Sequence, residues 1–311
     1  MNYTNLVENL VNRALKSGAE AAEVYLETSR NLSIQVQDGE IETIEEASSA
    51  GIGFRVISEG KMGFSHCNNL NSESLDEAIR KAVEFARLTT ADENNILPAN
   101  LSHQEVEGLF DETPFSIPVD KKIKMAFDLE KMALQEKGVT KSSGAGYGES
   151  DNEIFIANSN GILKQFRSSG CSLGVSVVAE KEEQKNTGDK YCTRRYFRDL
   201  LSLEEIAAEA AKKAVELLDP IMLKTQKASV IFESDVAFAL LGGIISAING
   251  ERVQQGASFL KDSLNRAVAS GLLTLVDDGL LVKGLGSAPF DGEGVPCQKR
   301  ILIDKGVLKG F

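Results

Sequence analysis

Residues 32–44 read Leu32-Ser33-Ile34-Gln35-Val36-Gln37-Asp38-Gly39-Glu40-Ile41-Glu42-Thr43-Ile44. Leu32, Ile34 and Val36 alternate with polar residues, the period of a strand with one buried face. Asp38-Gly39 then supplies the residue types of a tight hairpin turn, and Ile41 and Ile44 resume the apolar pattern beyond it. Working outward, Val24 and Leu26 come before the hairpin, a further strand carries Ile52 to Ile57, and Glu59-Gly60 turns it into the next. Beyond the strands the period becomes helical on both flanks. Tyr3, Leu6, Val7, Leu10, Val11 and Ala14 share one face over residues 3–17, and Gly18 is placed to end that helix. Leu75, Ala78, Ile79, Ala82, Val83 and Ala86 share one face over residues 75–88, with Ser74 and Glu77 at capping-box spacing. Residues 1–92 therefore predict a helix–antiparallel meander–helix unit.

The same order returns over residues 118–219. A helix over 120–136 ends at Gly138, strands follow around Ile154, Ile162 and Leu173–Val178, and Asn160-Gly161 takes the place of Asp38-Gly39. Ser202 and Glu205 repeat the capping-box spacing. Lys81-Ala82-Val83-Glu84 matches Lys213-Ala214-Val215-Glu216, which predicts a duplication with one extra helical turn in the second copy. Residues 93–117 hold Pro98 and Pro114 and read as a linker. From residue 220 a third, β-rich unit is expected. It has a short strand over 228–232, a helix from Val236 to about Ile248 capped by Asp235, and a terminal hairpin turning at Lys305-Gly306. That helix is apolar almost all round, the pattern of a buried helix, and Gly242-Gly243 within it implies close packing or a bend. The fold class is α+β: two similar units followed by a β-rich domain with a buried helix. The uncovered final strand is the pattern of a chain cut from a longer protein.

The net charge of −12 over 311 residues disfavours contact with nucleic acid. Four scattered cysteines without CxxC spacing fit a reduced, cytoplasmic setting, and no apolar run is long enough to span a bilayer. Two histidines, His66 and His103, are too few for a zinc site built on imidazoles. Gly170-Cys171-Ser172-Leu173-Gly174 has the spelling of a nucleophile elbow, yet Ser172 leads into a strand and both histidines precede it. Gly144, Gly146 and Gly148 mark a flat or bulged strand. Asp277, Asp278, Asp291 and Glu293 read as solvated turns. Arg194, Arg195 and Arg198, interleaved with aromatics, read as a strand edge with internal ion pairs. No complete catalytic constellation emerges, and no cofactor is implied.

Several stretches together resemble the TldD/PmbA family, whose members are often labelled modulators of DNA gyrase. They are Gly18-Ala19-Glu20-Ala21-Ala22-Glu23-Val24, Gly51-Ile52-Gly53-Phe54-Arg55-Val56, Asn249-Gly250-Glu251 with Gly256-Ala257-Ser258, and Phe290-Asp291-Gly292-Glu293-Gly294-Val295-Pro296. The resemblance covers essentially the whole chain. It implies a zinc-peptidase HExxxH on the third unit's helix in TldD-type subunits, and its absence in PmbA/TldE-type ones. Aligned on Gly250 and Gly256, the motif falls at Leu241, Gly242 and Ser246, or one residue on at Gly242, Gly243 and Ala247. Neither register carries an imidazole or a carboxylate. The resemblance thus implies a PmbA/TldE-type subunit with no catalytic and no metal-ligating residue of its own. Its expected partners are a TldD-type metallopeptidase subunit, peptide substrates, and a second copy of itself when alone. Neither nucleic acid nor membrane is expected. The alternative is a regulatory protein acting on gyrase by protein contact, and a metal-free hydrolase using Ser172 or Cys297 comes third.

Overall fold

A computed structural model describes residues 2–311, the Asp235 side chain excepted. Contacts divide the chain into two units, one holding the residues up to Pro220 together with Leu280–Cys297, the other Ile221–Gly279 with Gln298–Phe311.

The first unit is built on one antiparallel six-stranded sheet. Its strands are β1 (Ala21–Gln37), β2 (Glu40–Ser58), β3 (Lys61–Cys67), β4 (Val139–Asn158), β5 (Leu163–Lys181) and β6 (Gln184–Arg194). Their order is β3-β2-β1-β4-β5-β6, so the first strand of each meander pairs with the other at the centre. The helices are α1 (Tyr3–Lys16), α2 (Ser72–Leu88), the single turn α3 (Thr113–Ser116), α4 (Val119–Gln135) and α5 (Leu203–Glu216). The four long helices cover one face of the sheet. Val24, Leu26, Ile52, Phe54 and Val56 form one core with α1 and α2. Ile34, Val36, Tyr147, Leu173 and Val175 form another with α4 and α5.

The runs expected as separate short strands are joined. β1, β2, β4 and β5 are 17, 19, 20 and 19 residues long. Nothing in the stretches between the apolar runs breaks a strand, so each strand runs from one helix pair to the other. The expected turns form where the sequence placed them. Asp38-Gly39, Glu59-Gly60 and Lys305-Gly306 all adopt positive φ, as paired hairpin positions require.

Capping differs from expectation in the first half. Asn71, not Ser74, caps α2, its side chain accepting from the Ser74 amide at 2.8 Å. The box at Ser202 and Glu205 forms as expected. The extra turn therefore lies at the start of the first half's helix, α2, which is 17 residues long against 14 for α5. Gly63 in β3 lies directly against the backbone of Ala82 and Ala86, and Gly188 in β6 against Ala210 and Ala214. Both alanine pairs are 128 residues apart (82 to 210, 86 to 214), so the match of Ala82 with Ala214 is one turn out of register.

The linker is a strap laid on the second hairpin. Asn158 and Asn160 donate to the carbonyls of Pro98 and Leu97 at 3.0 and 2.8 Å, and Lys164 donates to Leu101 at 2.8 Å. Asp111 ends the strap. It accepts from Thr113 and from the Phe197 amide, while its own amide donates to Ser169.

The second unit holds α6 (Ser234–Ala247), α7 (Gly250–Gln254), β7 (Leu275–Asp278), β8 (Lys299–Asp304) and β9 (Val307–Leu308), the strands pairing in chain order. Its core is small: Ala247, Ile248, Leu260, Ile303 and Leu308. Two expectations fail here. Residues 228–232 form no strand, none among the described residues pairs with them, and Ile231 is 95% exposed. The helix expected to be buried is exposed along most of its length, with Phe238 72% and Leu240 55% exposed. Only its C-terminal end reaches the core, with Ala247 and Ile248 buried in it and Ile244 packed against it. Space is open beside Gly242 and Gly243, so neither serves close packing. Capping by Asp235 lies outside the described residues. Among the described residues no helix is long and apolar enough to cross a membrane.

Candidate functional site

The position singled out by sequence lies on α6. Leu241 and Ser246 are half-buried and Gly242 is exposed. One hydroxyl is the whole donor set there, whereas zinc binds imidazole, thiolate or carboxylate. The shifted register adds only Gly243 and Ala247. Among the described residues no group of three His, Cys, Asp or Glu side chains is placed to hold a metal. At the positions where the resemblance puts the metal motif, Leu241, Gly242 and Ser246 or Gly242, Gly243 and Ala247, no side chain carries an imidazole, thiolate or carboxylate.

The acidic residues seen in sequence do not converge. Asp278 pairs with Lys299 at 2.7 Å and Asp277 faces Arg300 at 3.6 Å, both in the second unit. Asp291 closes its own turn in the first unit, its Oδ1 accepting from the Glu293 and Val295 amides at 2.9 and 3.0 Å. Of the arginine cluster, Arg194 ends the edge strand β6 and Arg198 lies 3.8 Å from Asp199, but Arg195 makes no ion pair among the described residues. Arg195 is buried and donates to the carbonyls of Ser169 (2.6 Å), Leu285 (2.6 Å) and Gly284 (3.1 Å), tying residues 280–297 to the sheet. Ser172 lies within β5, where its Oγ faces Gly148. Gly144 stands beside a bulge in β4, as its spacing implied. Burial pushes the Cys171 thiol up to about 12, which leaves it unreactive.

A site that the sequence did not announce lies on the sheet face opposite the helices. Period-2 alternation sends Val24 and Leu26 to the helices, and Glu23, Tyr25 and Glu27 to the open face. The register sets Tyr25 opposite Gly53 and Gly53 opposite His66. A row of three thus has an aromatic ring at one end, an imidazole at the other, and no side chain in the middle. Phe64 leans into the gap, and a Cβ added at Gly53 would lie 3.4 Å from its ring. The resulting cavity is about 580 Å³, lined by Tyr25, Glu27, Gly51, Gly53, Phe64 and His66. A second of about 350 Å³ shares Tyr25, Gly53 and Phe64 with it and adds Glu23, Arg55 and Glu293.

Residues 280–297 wall this groove. Phe290 is buried against Ile156 and Ile162, with the Phe166 ring edge-on at 5.1 Å and the His103 ring edge-on at 5.5 Å. Lys164 Nζ holds the Gly294 carbonyl at 2.8 Å. Glu293 pairs with Arg55, which also pairs with buried Glu23 at 2.8 Å. Burial raises the Glu23 carboxyl above its usual range against the pull of Arg55. The Tyr25 hydroxyl is raised by burial and by Glu27. Arg55 Nε is buried and has no acceptor among the described residues. The groove offers aromatic walls, a glycine floor and a carboxylate surplus, which suits an apolar side chain on an extended polypeptide beside a cationic group. Cys67, next to His66, faces the helix side, so the two do not work together. Gly53 and Arg55 are visible in sequence, but the gap exists only once three strands are in register.

Comparison with known proteins places the whole chain. The PmbA/TldA metallopeptidase domain 1 matches residues 22–86, the central domain residues 112–218 and the C-terminal domain residues 225–311. The metalloprotease PmbA of Escherichia coli O157:H7 is 30% identical over 308 residues, an alignment covering 97% of this chain and 68% of that protein. A Bacteroides thetaiotaomicron protein described as a modulator of DNA gyrase has a solved structure that superposes with a TM-score of 0.91. It is 29% identical, with 99% of this chain and 71% of the other covered. TldE from Thermococcus kodakarensis shares the fold at a TM-score of 0.85 and 23% identity, covering 98% and 69% of the two chains. The three domain matches in order, and the similarity to PmbA over 97% of this chain, show that it belongs to the PmbA/TldD metallopeptidase family.

Proposed function

We propose that this chain is the non-metal-binding, PmbA/TldE-type subunit of a cytoplasmic peptidase complex acting in proteolysis and peptide maturation. The observation that carries the reading is that Leu241, Gly242 and Ser246, or one residue on Gly242, Gly243 and Ala247, where the resemblance puts the family's metal motif, include no metal-binding side chain. A helix without imidazole or carboxylate at those positions supplies neither the ligands nor the general base of a zinc peptidase. The metal then comes from a TldD-type partner carrying HExxxH. This chain contributes polypeptide recognition, through the groove of Tyr25, Gly53 and Phe64. Alone it pairs with a second copy of itself.

The test is reconstitution. The chain and a TldD-type subunit are purified apart and together, and cleavage of an unfolded polypeptide is followed with and without a chelator. Cleavage is expected only from the mixture and is abolished by the chelator. Zinc-dependent cleavage by this chain alone would sink the non-catalytic assignment. Retention of gyrase by the chain with no peptidase subunit present would favour a regulatory contact instead.

A further inference from the structure

The groove leads to a length of sheet edge that nothing among the described residues covers. β3 pairs with β2 only from Ile52 to Ser58 and ends at Cys67, opposite Ile52. From Glu40 to Gly51, β2 has β1 on one side and solvent on the other. Every residue from Glu40 to Ser49 is exposed. Along such an edge, alternate residues aim their N–H and C=O groups away from the neighbouring strand, leaving a row of unmet donors and acceptors.

Proteins usually blunt an edge with proline, lysine, a bulge or a covering element. Residues 40–51 contain no proline and no lysine. The bulge sits near the hairpin tip, where Gln35 faces Thr43 and Val36 faces Ile41. Beyond it, pairing is regular from Thr43 to Gly51, roughly 30 Å of strand at the usual rise. Ala47, Ser48, Ser49, Ala50 and Gly51 carry nothing bulky that would hold another backbone away.

What protects this edge is charge. Glu40, Glu42, Glu45 and Glu46 lie along it, and among the described residues only Glu46 meets a cation, Arg30 at 2.7 Å. Two copies joined edge to edge would set carboxylates beside carboxylates, which is repulsive. A segment bearing ammonium or guanidinium groups is attracted. The lane opens at Gly51 into the groove, where Tyr25 and Phe64 can take an apolar side chain.

We propose that the free edge of β2 between Thr43 and Gly51 is a docking lane for an extended polypeptide segment rich in lysine or arginine, which adds to the sheet as a strand. This rests on the reading of the chain as a polypeptide-recognising subunit and names the chemistry of what it recognises.

The test uses the chain by itself and a dye-labelled ten-residue peptide alternating lysine with valine, followed by fluorescence anisotropy at low salt. Saturable binding is expected, with none for the glutamate counterpart. Replacing Glu42→Lys together with Glu45→Lys weakens binding about tenfold or more. Both side chains are exposed, so the fold survives, and circular dichroism checks it. Methylating alternate backbone nitrogens of the peptide keeps its charge and removes its ladder donors, and this also weakens binding at least tenfold. Equal binding of the methylated and parent peptides would overturn strand addition. An unchanged affinity in the double variant, or no binding of the lysine peptide at all, would overturn the lane. The two readings fail separately. Cleavage by the reconstituted pair alongside unaltered binding in the double variant leaves the subunit assignment standing and removes the lane. Loss of binding in that variant without cleavage by the pair does the reverse.

Discussion

Gly63 and Gly188 show how much a single missing methyl group decides. At both positions an added Cβ would fall inside helix backbone, of α2 at Ala82 and Ala86 and of α5 at Ala210 and Ala214. Backbone cannot swing aside as a side-chain tip does, so Gly63→Ala and Gly188→Ala should each destabilise by about 1–3 kcal/mol or more in urea unfolding. Gly242→Ala is the control. Its site is open, and removing a helix-interior glycine should stabilise by up to about 1 kcal/mol. Asp111 gives a pH signature. Burial alone would raise its carboxyl, but the bonds from Thr113 and the Phe197 amide outweigh it and hold the carboxyl below its usual range. A carboxyl lowered in the folded state contributes stability above its unfolded pKa, and that contribution is lost as the pH falls through the folded value. Asp111→Asn should therefore cost about 1.5–3 kcal/mol at neutral pH and flatten the loss of stability below about pH 4, read from thermal unfolding across pH.

Among the elements, what the sequence revealed followed from local chemistry. Asp38-Gly39 and Glu59-Gly60 announce their turns because few other residues tolerate those φ values. The helices α1, α2, α4 and α5 show through the spacing of their buried faces. What stayed hidden depends on partners. Apolar residues at 228–232 and on α6 read as buried, yet burial needs a second surface, and in the second unit the core they could join is small. The groove was illegible for a related reason: Tyr25, Gly53, Phe64 and His66 come from three strands, and only the register brings them together. The linker read as a loop because carbonyl acceptors leave no trace in residue type. Lys164 pins the strap at Leu101 and the groove wall at Gly294 with one ammonium. Lys164→Met should keep the aliphatic stem and free both segments. Limited proteolysis should then cut within residues 93–110 and 286–297 faster than in the unaltered chain, and equal rates would show that the remaining bonds suffice.

At the scale of the molecule, the two units differ in what holds them. The first has two large cores under a six-stranded sheet, and the second has one core of five buried residues under three strands. Opening free energy follows buried contacts, so the second unit should open first. Hydrogen exchange followed by mass spectrometry should show β7, β8 and β9 losing protection well before β1, β4 and β5. Simultaneous loss would mean that the units unfold as one. Within the first unit the halves are interlocked: Glu130 on α4 accepts from the Asp38 and Gly39 amides at 2.9 and 3.0 Å, completing the first meander's turn from the second.

The central pairing of β1 with β4 has a consequence in mass action. Either meander by itself would carry its opening strand, 17 or 20 residues long, as a bare margin, and its most complementary mate would be another such meander. As separate molecules their union would fade on dilution. Joined by one covalent strap, they meet at an effective concentration on the order of millimolar whatever the concentration of the protein. The seam of the sheet is thereby made independent of how many copies the cell contains.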